Sequence, residues 1–130
     1  MPEAAVPFDL LGGELRVRAL VERFYDLMSD AEPALAHLHP LEDGRVARGS
    51  RDRFALFLIG WLGGPQDYTE QHGHPRLRMR HARVSIDETM RDAWLRCMTA
   101  AMDAEGVSGH VRSFLDSRFA EVADFMRNVE

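Results

Sequence analysis

Residues 65–80 constrain this chain more than any other stretch. They hold Pro65 and Pro75, several arginines and histidines, and hardly any aliphatic side chains. A segment of this length without apolar periodicity is uncommon inside a compact domain and often carries function. The flanking segments show the opposite pattern. From Glu14 to Met28, the residues Leu15, Val17, Leu20, Val21, Phe24, Tyr25 and Met28 recur at spacings of three and four, the mark of one buried helix face. Ser29-Asp30-Ala31-Glu32-Pro33 ends that face, and a short helical turn from Ala34 to Leu38 is stopped by Pro40. Ser50 is a candidate cap for the next helix, whose start can lie a turn earlier. Phe54, Leu56, Phe57, Leu58, Trp61 and Leu62 give that helix a wide apolar surface. Gly63-Gly64-Pro65 terminates it, since glycine permits a left-handed exit and proline forbids continuation.

Beyond the long segment, Ser85-Ile86-Asp87-Glu88 matches a capping box. It predicts a helix through Met102 with Met90, Trp94, Leu95, Cys97, Met98 and Ala101 facing inward. Gly106 breaks that helix. Ser108 opens a last one, with Val111, Phe114, Leu115, Phe119, Val122, Phe125 and Met126 at helical spacing. No strand-like alternation, internal repeat or linker competes. The pattern predicts an all-α chain with four main helices and one long ordered loop. It places a flexible tail at residues 1–9 and a single domain at 10–130.

Totals exclude several functions. A chain of 130 residues buries one core, not two. A formal charge of −5 argues against a general nucleic-acid binder. The single cysteine, Cys97, excludes an internal disulfide and reads as a small buried hydrophobe. No stretch approaches the roughly 20 apolar residues of a membrane span. The start Met1-Pro2-Glu3 lacks the order of a signal peptide, so a cytoplasmic protein is expected.

His81 taken alone is open to two readings. A histidine between a basic loop and a helix start is more often a surface or satisfied residue than a ligand. His72, His74 and His81 lack the carboxylate or cysteine that would complete a zinc site. Arg76, Arg78, Arg80 and Arg83 suit a solvated face or a phosphate site, and the negative net charge favours the solvated face.

Several separate marks point further. They are Gly12-Gly13, Arg23-Phe24-Tyr25, the Gly63-Gly64-Pro65 turn, Tyr68, Gly73-His74-Pro75-Arg76-Leu77-Arg78-Met79-Arg80-His81, and Arg91-Asp92-Ala93-Trp94-Leu95-Arg96-Cys97-Met98. In this order and spacing the chain resembles the truncated haemoglobins of group II, from about Leu10 to Phe125. The resemblance implies a shortened globin in which two helical pairs sandwich a haem, with the long loop replacing most of the proximal helix. It implies haem b as cofactor and His81 as the imidazole that binds its iron, leaving the opposite face open for a gas. Arg78 and Tyr68 are the candidates to hold the haem carboxylates, with His72 and His74 as weaker ones. On the ligand side it places Tyr25, Trp94, His39, Ser50 and Phe54. Phe24, Phe57, Leu58, Met79, Val84, Ile86 and Met98 would line the haem, although each would serve equally as plain core.

Two positions depart from the family pattern. His39 stands where tyrosine or phenylalanine is common, and it would add a donor whose charge changes near neutral pH. Phe54 is bulkier than the usual aliphatic residue and would crowd the iron's free face or narrow the side entrance that the small Ser50 leaves open. The implied function is reversible binding of oxygen, nitric oxide, carbon monoxide or peroxide, with slow oxygen release. One alternative is a haem redox enzyme, oxidising nitric oxide or reacting with peroxide and fed by an unidentified reductase. Another is a non-haem helical interaction module. No nucleic-acid or membrane partner is expected, and monomer and homodimer both stay open.

Overall fold

A computed structural model describes residues 6–73 and 86–126. The apolar face read from Glu14 to Met28 becomes α2 (Glu14–Ala31), which buries Val17, Leu20, Val21, Phe24, Tyr25 and Met28. Gly12 and Gly13, at φ +107° and +87°, turn the chain into it. Its main partners are α6 (Glu88–Ala104) and α4 (Arg48–Trp61). Helix α6 in turn packs on α7 (Gly109–Met126). Two helical pairs, α2 with α4 and α6 with α7, are therefore joined through α2 and α6, a two-over-two arrangement. Short helices α3 (Pro33–Ala36) and α5 (Asp67–His72) fill the corners. One hydrophobic cluster runs through all four long helices, with Phe24, Met28, Leu58, Met98, Met102 and Leu115 fully buried. Burying each such side chain contributes about 1.5–3 kcal/mol. Cys97 is buried among them, and burial pushes its thiol up to about 11. No helix among the described residues is long and apolar enough to cross a membrane.

The structure differs from the sequence pattern in local ways. Of the tail expected over 1–9, residues 1–5 lie outside the described residues, and residues 7–9 belong to a helix, α1 (Pro7–Leu11), with proline in the first turn where its missing N–H costs nothing. The Phe8 N–H donates to the Leu62 carbonyl at 3.0 Å, and the Phe8 ring lies against Gly64. A Cβ at position 64 would stand 2.7 Å from that ring, so glycine is needed there for space. Gly63 supplies the left-handed exit, φ +100°.

The expected absence of strands also fails in one place. Strands β1 (Leu41–Glu42) and β2 (Arg45–Val46) pair antiparallel across Asp43-Gly44, both at positive φ. That dipeptide is a hairpin signal, but two residues per strand are too few to show alternation. Helix α4 starts at Arg48 with Ala47 as its cap, which places Ser50 inside the first turn. The cap of α6 is Asp87, whose carboxylate accepts the Met90 N–H at 2.9 Å. Ser85, the predicted cap, lies outside the described residues.

Candidate ligand-binding site

Helical spacing aims one set of side chains into a common space. On α4, Ser50, Phe54 and Phe57 lie on one face; on α6, Met90 and Trp94 do the same. With Tyr25 from α2 and His39 from the corner after α3, they line a cavity of about 610 Å³. Cofactor and small-molecule sites span about 300–1,000 Å³. Tyr68 and His72 of α5, Ile86, and Val122 and Met126 of α7 also line it.

The wall is largely aromatic and interlocked. The Tyr25 ring meets Phe54 at 5.8 Å and His39 at 5.6 Å, both edge to face. Phe54 meets Trp94 at 6.4 Å in the same way and stacks on Phe57 at 6.4 Å. Phe57 meets Tyr68 edge on at 5.7 Å, and Tyr68 meets His72 at 5.0 Å. Edge-to-face pairs fix ring orientation, since the positive edge of one ring seeks the negative face of the next.

Two donors are left without partners among the described residues. The Tyr25 hydroxyl and the Trp94 indole N–H make no hydrogen bond there, although Tyr25 is only 6% exposed. Burial raises the Tyr25 phenol far above its ordinary pKa, and the nearby charges of Arg51 and Arg53 only partly oppose that. The phenol therefore keeps its proton and acts as a donor.

His39 is different. Its Nδ1 lies 3.0 Å from the Leu35 carbonyl, and a carbonyl only accepts. Nδ1 therefore carries the hydrogen, and in the neutral ring the lone pair sits on Nε2. With that tautomer Nε2 accepts in the neutral ring, and it donates once the ring takes up a proton.

The remaining predicted residues divide three ways. Ser50, Phe54, Phe57, Tyr68 and Ile86 line the cavity. Phe24, Leu58 and Met98 do not; they are buried in the core behind the wall. Phe24 still shapes it, its ring 5.2 Å from Trp94 and 4.9 Å from Tyr25. His74, Arg78, Met79, His81 and Val84 lie outside the described residues. Among the described residues no group of three or more His, Cys, Asp or Glu could hold a metal ion.

Two arginines escape sequence reasoning. Arg53 lines the cavity and makes no ion pair with a described residue. Its one cue is helical spacing, three residues after Ser50. Arg91 also lines the cavity, with Asp92 and Asp124 holding its guanidinium.

The bacterial-like globin family matches residues 7–128. The Group 2 truncated hemoglobin YjbI of Bacillus subtilis is 40% identical over 122 residues, covering 94% of this chain and 88% of that protein. The group II truncated haemoglobin of Bacillus anthracis superposes with a TM-score of 0.91 at 38% identity, over 98% of this chain and 95% of that one. The group II 2-on-2 haemoglobin of Agrobacterium tumefaciens gives 0.90 at 37% identity, over 99% and 98%. An interlocked aromatic cavity between two helical pairs, and likeness along nearly the full length, lead to one conclusion: the chain belongs to the bacterial-like globin family and, within it, to the group II truncated haemoglobins.

Proposed function

We propose that this chain is a haem-b protein that reversibly binds oxygen and other diatomic gases, with His81 as the axial ligand of the iron, and that it releases oxygen slowly. Haem and oxygen binding is the general function of its family. The Bacillus subtilis haemoglobin among its structural relatives is described as oxygen-avid, and the same property is proposed here. One observation carries the reading. Tyr25 and Trp94 bring two donors, neither hydrogen-bonded to a described residue, to a single aromatic cavity onto which both open.

The residues fit the cofactor. Phe54, Phe57, Ile86, Met90, Val122 and Met126 offer apolar faces to a flat macrocycle. Arg53 offers a guanidinium fork, and Tyr68 a hydroxyl, to its carboxylates; Arg78 is the further candidate. When bound, haem would supply an iron able to take up a diatomic gas and share charge with it.

The protein side chains then set the outcome. The Tyr25 hydroxyl and the Trp94 N–H donate to the partly charged guest, and indole can do nothing but donate. A hydrogen bond to a charged group contributes about 1.5–3 kcal/mol, so two of them slow release by orders of magnitude. Neutral His39 adds no donor from Nε2; its protonated ring does. Phe54 narrows the space over the guest, while the small Ser50 leaves the side of the cavity open. The test is an absorbance spectrum of purified protein made with ample haem. A Soret band that persists through gel filtration is expected, together with loss of the axial-ligand signature in His81→Gly. A colourless protein, or an unaltered signature in that variant, overturns the reading.

A further inference from the structure

Arg51 is the one charged side chain that is buried among the described residues, at 6% exposure. Instead of reaching solvent, it runs from α4 towards α2 and β2. Its Nε donates to the Val46 carbonyl at 2.8 Å, and one terminal nitrogen donates to Asp26 at 2.8 Å and to Glu22 at 3.3 Å. Both carboxylates have other cations, Arg48 on Glu22 and Arg45 on Asp26, so neutralising them does not require Arg51. These bonds fix the guanidinium with its carbon 5.9 Å from the centre of the Tyr25 ring, within cation–π range. The Tyr25 hydroxyl has no partner among the described residues, so the ring's position alone decides where it points.

We propose that Arg51 is a positioning residue for Tyr25, and that it sets the preference of the cavity for a guest that gathers negative charge, such as oxygen, over one that stays near neutral, such as carbon monoxide. The inference rests on the haem reading above. A positive charge beside a phenol polarises its O–H bond and strengthens donation. A stronger donor favours the charged guest and does little for the neutral one. Arginine suits the task because its planar fork reaches a carbonyl and two carboxylates while its carbon stays within cation–π range of the ring.

The test uses haem-loaded protein in five forms: unaltered, Arg51→Met, Arg51→Lys, Tyr25→Phe and the Arg51→Met/Tyr25→Phe pair. The readouts are the stretching frequency of bound carbon monoxide and the release rates of oxygen and carbon monoxide. Arg51→Met should move the frequency towards that of Tyr25→Phe and speed oxygen release about fivefold or more, with less change for carbon monoxide. Arg51→Lys should recover part of both, since it keeps the charge and loses the fork. In the Tyr25→Phe background the arginine change should move neither. Equal effects in both backgrounds mean packing alone, and they overturn the proposal; so does a frequency that does not move. Should Arg51→Met fail to hold haem, a sixth form, Arg51→Lys/Tyr25→Phe, set against Arg51→Lys, decides by the same comparison. A missing Soret band in the unaltered chain removes the haem reading and this inference together. A Soret band without coupling between Arg51 and Tyr25 removes this inference alone.

Discussion

The cavity has two walls that present one donor each; rings pack against both donors, and the wall behind Tyr25 adds a dense charged lattice. Tyr25 stands on the wall of α2 and α4, which are tied by a charged lattice in which Arg45, Arg48 and Arg51 meet Glu22, Asp26, Asp30 and Asp52. Trp94 stands on the wall of α6 and α7, held by rings: Phe119 lies edge to face with it at 5.7 Å and stacks on Trp61 at 5.4 Å. Ion pairs place a group by direction and answer to pH and salt. Packed rings place it by shape and answer to volume. The contrast teaches that equivalent donors can have separable vulnerabilities.

The sharpest break should come on the aromatic side. Phe119 is 4% exposed, and Phe119→Ala removes the ring between both tryptophans. A loss of about 3–5 kcal/mol is expected in denaturant unfolding; a loss below 1 kcal/mol would show that the wall does not depend on it. Next come the donors. Trp94→Phe and Tyr25→Phe should each speed oxygen release roughly ten- to a hundredfold in stopped flow, while unchanged release would remove that residue from the mechanism.

Acid should then separate the walls. A hydrogen bond from Arg48 is the main cause holding the Glu22 carboxyl below its ordinary 4.5. Burial pushes the Asp26 carboxyl up, but hydrogen bonds from Arg51 and Arg45 outweigh it and leave the group below 3.8. Groups lowered in the fold stabilise it above their ordinary values, and that share is lost as pH falls through the lowered ones. Thermal melts should therefore drop progressively as pH falls below about 5. Glu22→Gln/Asp26→Asn should flatten that drop, and an unflattened curve would place the acid sensitivity elsewhere. The smallest effect belongs to Glu14→Gln. It breaks an exposed pair with Arg18 remote from both walls, and melting should stay within error.

What the sequence shows depends on distance along the chain. The buried face of α2 and the cavity faces of α4 and α6 are legible because helical burial repeats every three to four residues. Resemblance to a family adds roles for Tyr25, Trp94, Ser50 and Phe54. Arg51 stays hidden. A charged helix residue reads as exposed by default, and its burial depends on carboxylates 25 and 29 residues away. The same holds for Phe8, which sequence reads as tail and Gly64 turns into an anchor. The proton on His39 Nδ1 depends on one carbonyl in the turn before it, a detail below the resolution of any pattern.

The stack through Phe119 has an optical consequence. Trp61 and Trp94 are the only two tryptophans in the chain, and both touch that ring beside the cavity. Nearly all of the ultraviolet emission therefore originates next to the site. A coloured molecule seated there would drain both emitters at once, so the protein carries its own gauge of occupancy, and a simple fluorescence titration can follow filling without any added label.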